Sequence, residues 1–138
     1  MAFKVFLDAN VLLDFLLKRK GYEDARAIIQ LVTERKIQAC ISPAIIHIVS
    51  YWLTKSYGKP TTRDLLLLLL SDIRVIDCTH DVAIFALHSK IEDVEDALQY
   101  YTAVQHKLDV FISSDRVLQS LGTVQLPVHS VHEFLQLV

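Results

Sequence analysis

Three aspartates lie at positions that a parallel sheet would bring together into an active site. Asp8 directly follows the apolar run 3–7, Asp115 follows a second apolar run, and Asp96 lies in the first turn of a predicted helix that begins near Asp93. The carboxyl ends of parallel strands share one edge, where ligands bind. Carboxylates gathered there repel one another unless a hard cation lies among them, and oxygen ligands favour Mg²⁺ or Mn²⁺. The pattern predicts a divalent-metal site suited to phosphodiester hydrolysis by a metal-activated water.

Each aspartate also has a simpler explanation as a helix cap. Asp8 and Asp115 could be the N-caps of the helices that follow them, and Asp93 and Asp96 have the spacing of an N-cap and the third helical residue. Taken jointly, carboxylates that converge on one edge favour a metal centre over coincidental caps. Asn10 gives weaker support, because asparagine is itself a good capping residue, but beside Asp8 it could orient a carboxylate or a water.

The elements that must position these residues follow an α/β pattern. Short apolar runs alternate with longer helical segments, which favours a parallel sheet covered by helices. We predict strands near 3–7, 37–41, 73–77, 109–113 and 126–129. We predict helices over 11–18, 23–36 and 43–57, and further helices that open at Thr61 or Thr62, Thr79, Asp93 and Ser130.

Composition narrows the class of protein. The chain has 138 residues and 15.7 kDa, which suits a single domain over residues 1–138. Apolar residues make up 52%, so the excess must enter a buried sheet, a subunit interface or both. A net charge of −2 argues against broad electrostatic binding of nucleic acid but not against a nuclease with an acidic metal site. No apolar run reaches the ~20 residues of a membrane helix, and the chain opens on a predicted strand, so we expect a cytoplasmic protein without a membrane segment.

Three segments carry a family resemblance. The stretch Val5–Asp14 resembles the opening of a PIN domain, and Asp93–Ala103 and Ile112–Asp115 resemble the family's later motifs in the same order and approximate spacing. Together they span nearly the whole chain, and they are most similar to the bacterial branch related to the VapC toxins. The resemblance implies a three-layer α/β/α sandwich with a central, mostly parallel sheet of four to five strands.

The resemblance also implies an activity and its residues. It implies a divalent-metal-dependent ribonuclease that uses Mg²⁺ or Mn²⁺, with RNA as substrate, a homodimeric assembly and a small antitoxin protein as partner. The catalytic and metal-binding residues would be Asp8, Asp96 and Asp115. Asp93 would be a further ligand, and Asn10 and Ser113 would orient ligands or water.

One position departs from the family pattern. PIN domains usually carry a further carboxylate, most often Glu, on the helix after the second strand, and that position here is Ile48 or its neighbour His47. No Asp or Glu occurs from Arg35 through Arg63. His47 could bind a metal, but on an apolar helix a core or interface role is more common. The alternative function is therefore a catalytically degenerate PIN-fold module that binds RNA or protein.

Three further features leave alternatives open. Lys18, Arg19, Lys20 and Arg116 either complement helix ends or contact the RNA backbone. The run Leu65–Leu70 covers every face of its helix, which predicts deep burial or, as we prefer, a subunit interface. We expect both cysteines, Cys40 and Cys78, to be reduced thiols packed in the core.

Overall fold

Five parallel strands form the centre of the protein in a computed structural model that describes residues 3–138. In chain order the strands are β1 (Phe3–Leu7), β2 (Ile37–Ile41), β3 (Ile73–Val75), β4 (Val110–Ile112) and β5 (Val128–His129). They lie in the order β3-β2-β1-β4-β5, and every neighbouring pair is parallel. The predicted strands are therefore all present, although the last three are shorter than predicted. The sheet is parallel throughout.

Eight helices connect and cover these strands within the described residues. They are α1 (Ala9–Leu16), α2 (Tyr22–Thr33), α3 (Pro43–Tyr57), α4 (Lys59–Leu69), α5 (His80–His88), α6 (Val94–Gln105), α7 (Arg116–Leu121) and α8 (Val131–Leu135). Helix α1 packs against α2 and α3, and α5 packs against α6. The helices flank the sheet as in an α/β/α sandwich, which confirms the predicted fold class.

Strands β1 and β4 are apolar where they pair with each other, because helices cover both faces of the sheet. Val5, Phe6 and Leu7 of β1 are fully buried, and so are the paired residues of β4. The Phe6 ring stacks on the Phe111 ring at a centroid distance of 4.8 Å. This rigid pair of strands fixes the residues that follow each of them.

Left-handed backbone conformations explain where two helices end. Helix α1 begins at Ala9, earlier than predicted, because Asp8 is its N-cap. It ends before Lys18, whose φ of 52° is incompatible with a continuing helix. Helix α2 likewise ends at Thr33 instead of at residue 36, because Arg35 has a φ of 60°.

Gly58 sets the start of the leucine-rich helix. Its φ of 82° is one that glycine adopts without a steric penalty, and it separates α3 from α4. Pro60 then fits the first turn, where no backbone N–H is required. Helix α4 therefore begins at Lys59, before the predicted Thr61 or Thr62.

Two expectations about burial need correction. Leu67 and Leu68 are 67% and 69% exposed, so the run Leu65–Leu70 is not buried on every face within this chain, and its role in a subunit interface stays a prediction. Cys40 is buried as expected, but Cys78 is exposed because it lies in the connection after β3. Along residues 3–138, no helix combines the length and the apolar character that a membrane crossing requires.

Candidate metal-binding site

Strands β1 and β4 bring the first and last acidic motifs together. The strands are neighbours, and their final residues, Leu7 and Ile112, are paired in register. The backbone N–H of Asp8 continues the ladder and donates to the carbonyl of Ile112 at 3.0 Å. Asp8 and Ser113 therefore leave the sheet side by side, although they are 105 residues apart in the chain.

The Ser113 hydroxyl connects the two motifs directly. It donates to Asp8 Oδ2 at 2.7 Å and accepts from the backbone N–H of Asp115 at 3.0 Å. Ser113 is completely buried, and its carbonyl accepts a further bond from Gln119 Nε2 at 2.9 Å. The hydroxyl thus holds the Asp8 carboxylate in one orientation and fixes the turn that carries Asp115.

Asp8 and Asp115 are also helix caps, as the simpler explanation predicted. Asp8 Oδ1 accepts from the N–H of Ala9 at 2.8 Å. Asp115 Oδ1 accepts from Val117 at 2.8 Å and from Leu118 at 3.2 Å. An ionised carboxylate has about four lone-pair sites. Capping therefore leaves acceptor capacity on both side chains, and the two explanations are compatible.

Helix α6 brings the third motif to the same edge. Asp93 is its N-cap, and Asp93 Oδ1 accepts from the backbone N–H of Asp96 at 2.9 Å. Asp93, Asp96 and Asp115 together line a cleft of about 640 Å³. The cleft lies between the start of α6 and helix α7, whose Val117 and Leu121 form its apolar side.

Burial and the charges of this site raise the pKa values of Asp8 and Asp96. Burial is the largest cause that raises the pKa of Asp96, followed by the charges of Asp93, Asp115, Asp8 and Glu95, and together they raise it to about 6. Burial also raises the pKa of Asp8, against the hydrogen bonds from Ser113 and Ala9, and the Asp115 charge raises it further. The fold therefore concentrates negative charge at this edge of the sheet, although Lys90 also lines the cleft.

The donor chemistry of this cluster fits a hard divalent cation. Every side chain in it offers oxygen only, and a cation would relieve the repulsion that raises the pKa of Asp96. Over residues 3–138, no three or more His, Cys, Asp or Glu side chains already converge closely enough to hold one ion.

Asp96→Asn is expected to stabilise the metal-free protein at pH 7 by about 1 kcal/mol, allowing for solvent screening of a partly exposed carboxyl. The pKa of Asp96 is raised from 3.8 to about 6. The folded protein therefore binds more protons than the unfolded chain between these values, and stability falls as the pH rises from about 4 to 6. Asparagine removes this loss.

Urea unfolding in EDTA at pH 4 and pH 7 measures the effect. The matched control is Asp64→Asn, which changes an exposed aspartate on α4. Identical pH dependence in Asp96→Asn and the wild type would show that the Asp96 charge does not oppose folding.

The site contains two residues to which the sequence gave no firm role. The pKa of Glu95 is raised mainly by burial and then by the charges of Asp93 and Asp8, while the charge of His47 lowers it. Glu95 and His47 therefore lie within electrostatic range of each other and of the site. His47 is exposed, which rules out a core role, whereas Ile48 packs partly buried against the core. In the sequence, the signal that could have identified Glu95 as part of the site was its position directly before Asp96.

Asn10 and the basic residues form a separate arrangement beside the site. Arg19 Nη2 donates to Asn10 Oδ1 at 3.1 Å, and Arg19 Nε pairs with Asp14 Oδ1 at 3.0 Å. In the part of the chain that the structure describes, the Asn10 side chain therefore bonds to Arg19 and not to Asp8. Lys18, Lys20 and Arg116 are exposed, and Arg116 directly follows Asp115. Their contact with RNA stays a prediction.

The fold and this acidic edge agree with a sequence comparison. The sequence profile of the PIN domain family matches residues 4–117, and the chain belongs to this family. No curated protein sequence matches the chain with significance.

Solved structures share the fold at low sequence identity. A toxin–antitoxin complex from Klebsiella pneumoniae is 22% identical, with a TM-score of 0.67 over 88% of this chain and 94% of that one. VapBC2 of Rickettsia felis, bound to a DNA fragment from its promoter, is 15% identical, with a TM-score of 0.69 over 92% and 98%. VapC20 of Mycobacterium tuberculosis, a toxin that cleaves the sarcin–ricin loop, is also 15% identical, with a TM-score of 0.69 over 89% and 98%.

Proposed function

We propose that this protein is a divalent-metal-dependent ribonuclease, with one PIN-like domain over residues 1–138. The observation that carries the proposal is the convergence of Asp8, Asp96 and Asp115 from three distant parts of the chain: Ser113 bonds to Asp8 and to the turn that carries Asp115, and Asp115 and Asp96 line one cleft. A protein that used these residues only as caps would have no need to bring their charges together. Membership of the PIN domain family supports the same conclusion.

Each residue of the proposed metal site has a separate role. Asp8, Asp96 and Asp115 would hold Mg²⁺ or Mn²⁺, which when bound would activate a water for attack on a phosphodiester and neutralise developing charge. Ser113 fixes the orientation of Asp8, and Asp93 fixes the start of the helix that carries Asp96. As the N-cap, Asp93 has one oxygen engaged, so its part as a ligand is secondary.

The surrounding polar residues would position the RNA. Arg116 follows Asp115 directly, and Lys18 and Lys20 are exposed beside the first helix, so these cations would contact backbone phosphates near the cleft. Arg19 would hold Asn10 in place through its hydrogen bond, and Asn10 would then orient water or RNA. These contacts would strengthen binding without selecting a sequence.

Cleavage of a fluorescent single-stranded RNA by the purified protein tests the proposal. Parallel reactions contain Mn²⁺, Mg²⁺ or EDTA. We expect cleavage with at least one of the two ions and none in EDTA. Cleavage that persists in EDTA would contradict the metal-dependent mechanism. Absence of cleavage with either ion, in protein shown to be folded, would favour a binding function.

Glu95→Gln is expected to lower the affinity for Mn²⁺ about two- to fivefold, the range for removing one partly screened charge. The carboxylate of Glu95 interacts electrostatically with those of Asp93 and Asp8. Glu95 would therefore supply part of the negative charge that PIN domains usually carry at the position of Ile48. Calorimetric titration with Mn²⁺ measures the change, and Glu23→Gln, an exposed glutamate in the first turn of α2, is the control. Equal affinities for the wild type and both variants would leave Glu95 outside the site.

We further propose that the protein is the cytoplasmic toxin of a toxin–antitoxin pair and forms a homodimer. Similar folds in toxin–antitoxin complexes support an antitoxin partner. Exposed apolar side chains on α3 and α4, among them Trp52, Leu67 and Leu68, support a subunit interface. Light scattering on the purified chain should give twice the monomer mass, and Leu68→Glu should shift it toward the monomer. An unchanged mass would place the interface elsewhere.

One observation favours a second candidate function. Helix α3 carries Ile48 where PIN domains usually have a carboxylate, so a PIN-fold module that binds RNA or protein without cleavage is the alternative. The two functions differ in their response to metal. A thermal shift with Mn²⁺ that is lost in Asp96→Asn favours the nuclease, and no metal response favours the binding module.

A further inference from the structure

A second groove opens at the same edge of the sheet, next to the acidic site. It has a volume of about 480 Å³ and lies between the starts of α3 and α5 and one side of α6. Ser42 enters it from the end of β2, Thr79 from the connection after β3, and Gln99 from α6. This volume is in the range of small-molecule sites.

Gln99 is the unusual residue of this groove. It is only 3% exposed, and its side-chain oxygen accepts a hydrogen bond from the hydroxyl of Ser42, which is equally buried. The Gln99 amide nitrogen, Nε2, has no hydrogen-bond partner among residues 3–138. Turning the amide end for end would let Nε2 donate to Ser42 and would leave the oxygen without a partner instead. One end of the amide is therefore open in either orientation.

An open amide at this depth is costly. A buried polar group without a partner costs about 1–3 kcal/mol, so such groups usually meet a ligand or a water. Ser42 cannot satisfy both ends of the amide, because one hydroxyl cannot reach an oxygen and a nitrogen that point in different directions, and it also accepts from the backbone N–H of Ile45 as the N-cap of α3. A hydrogen-bonding group without a partner therefore lies buried in the wall of the groove.

The surroundings favour a neutral partner over a phosphate. Both helix starts at the groove already have side-chain caps, Ser42 for α3 and Thr79 for α5. Pro43, at the first position of α3, has no N–H to donate. Asp77 also lines the groove, and its charge would repel an anion. Pro43 and Leu98 instead offer apolar walls to a flat ring.

We propose that this groove holds a nucleobase of the RNA, beside the phosphate that is cut, and that Gln99 hydrogen-bonds the edge of that base. The inference rests on the proposed ribonuclease function and names a residue that selects the sequence. The geometry supports continuity between the two sites. Gln99 lies one helical turn after Asp96 on α6, and β2, which ends before Ser42, is the neighbour of β1, which ends before Asp8.

The chemistry of the amide suits this task. A base edge offers both donors and acceptors, so it can complete the Gln99 amide in either orientation. Single-stranded RNA is commonly read by hydrogen bonds to exposed base edges. With one end of the amide already bonded to Ser42, a single hydrogen bond to the base would give about a 2- to 12-fold preference, from a net worth of about 0.5–1.5 kcal/mol.

The side-chain amide resonance of Gln99 gives a test that does not depend on cleavage. In EDTA, the ¹⁵N-labelled protein is titrated with AMP, GMP, CMP and UMP, and with ribose 5-phosphate as a control that lacks the base. The signal is assigned by its correlation with the Gln99 backbone and by its absence from the spectrum of Gln99→Met. We expect at least one nucleotide to shift it and ribose 5-phosphate to leave it unchanged. No shift with any nucleotide, or an equal shift with ribose 5-phosphate, would overturn the base assignment.

Cleavage preference provides the second test. RNAs that differ only in the base beside the cleavage site are compared for the wild type, Gln99→Met and Gln105→Met, the control being an exposed glutamine of the same helix. We expect the ratio of cleavage rates between the preferred base and the other bases to fall at least severalfold in Gln99→Met and to stay unchanged in Gln105→Met. An unchanged preference in Gln99→Met would overturn the proposal. A nucleotide-dependent shift without RNA cleavage by the wild type would preserve the base site and contradict the nuclease function.

Discussion

Asp8→Asn and Asp96→Asn should each reduce metal-dependent RNA cleavage by at least about 100-fold. Changes to residues that only orient metal ligands typically cost about 10–100-fold, so the loss of a proposed ligand should cost at least as much. Asparagine keeps the size of the side chain and a hydrogen-bonding oxygen but removes the charge that attracts the cation. The rate under single-turnover conditions with Mn²⁺ is the quantity to compare.

Two controls make this result specific. Asp64→Asn removes an exposed charge on α4 and should cleave as the wild type does. Asp96→Asn should also be at least as stable as the wild type without metal, so its loss of activity would not reflect unfolding. Equal cleavage by the wild type and both site variants would identify a contaminating nuclease. Loss in Asp8→Asn alone would remove Asp96 from the catalytic group.

Ser113→Ala should weaken Mn²⁺ binding about 10- to 100-fold, the usual cost of losing a residue that orients a metal ligand. The change removes the hydrogen bond to Asp8 Oδ2 and leaves the N–H of Asp115 without its acceptor. Because the site is buried, the free energy of unfolding should also fall by about 1–3 kcal/mol. Calorimetric titration with Mn²⁺ measures the first effect, and urea unfolding measures the second.

The matched control for this variant is Ser120→Ala. Ser120 also uses its hydroxyl in a hydrogen bond, to the carbonyl of Val117, but it is exposed on α7. It should change neither the affinity for Mn²⁺ nor the stability by a comparable amount. If Ser113→Ala lost stability but bound Mn²⁺ as tightly as the wild type, Ser113 would be a structural link and not a residue that orients a ligand.

Local sequence was sufficient for the five strands and for most helix caps, but not for the start of α4, which lies at Lys59. The apolar runs of β1 and β4 identify strands because a strand covered on both faces has no polar side. Asp8, Ser42 and Asp93 identify helix starts because a short polar side chain bonds an N–H of the first turn, and each does so here. The apolar pattern of a strand and the hydrogen bond of a cap both involve residues close in the chain, so they are visible in the sequence, whereas the order in which the strands pair is not.

Helix ends were harder to predict. Lys18 and Arg35 adopt left-handed conformations, which lysine and arginine rarely prefer. In both cases the N–H of the next residue closes the helix end, from Arg19 to the carbonyl of Asp14 and from Lys36 to the carbonyl of Leu31, and the residue types at these positions do not predict it. The exposure of Cys78 was not predicted either, because a small apolar residue that follows a strand can be buried or exposed.

The sequence alone determined which residue types could form the site, but only the tertiary structure decided how they are connected. Ser113 reaches Asp8 across 105 residues, and Gln99 reaches Ser42 across 57. The pKa of Asp96 is raised first by burial and then by nearby charges, two of which, those of Asp115 and Asp8, come from distant parts of the chain. Spacing along the chain cannot reveal such contacts, because hydrogen bonds and charge repulsion depend on distance in space, and the pairing of β1 with β4 and the packing of α6 fix that distance.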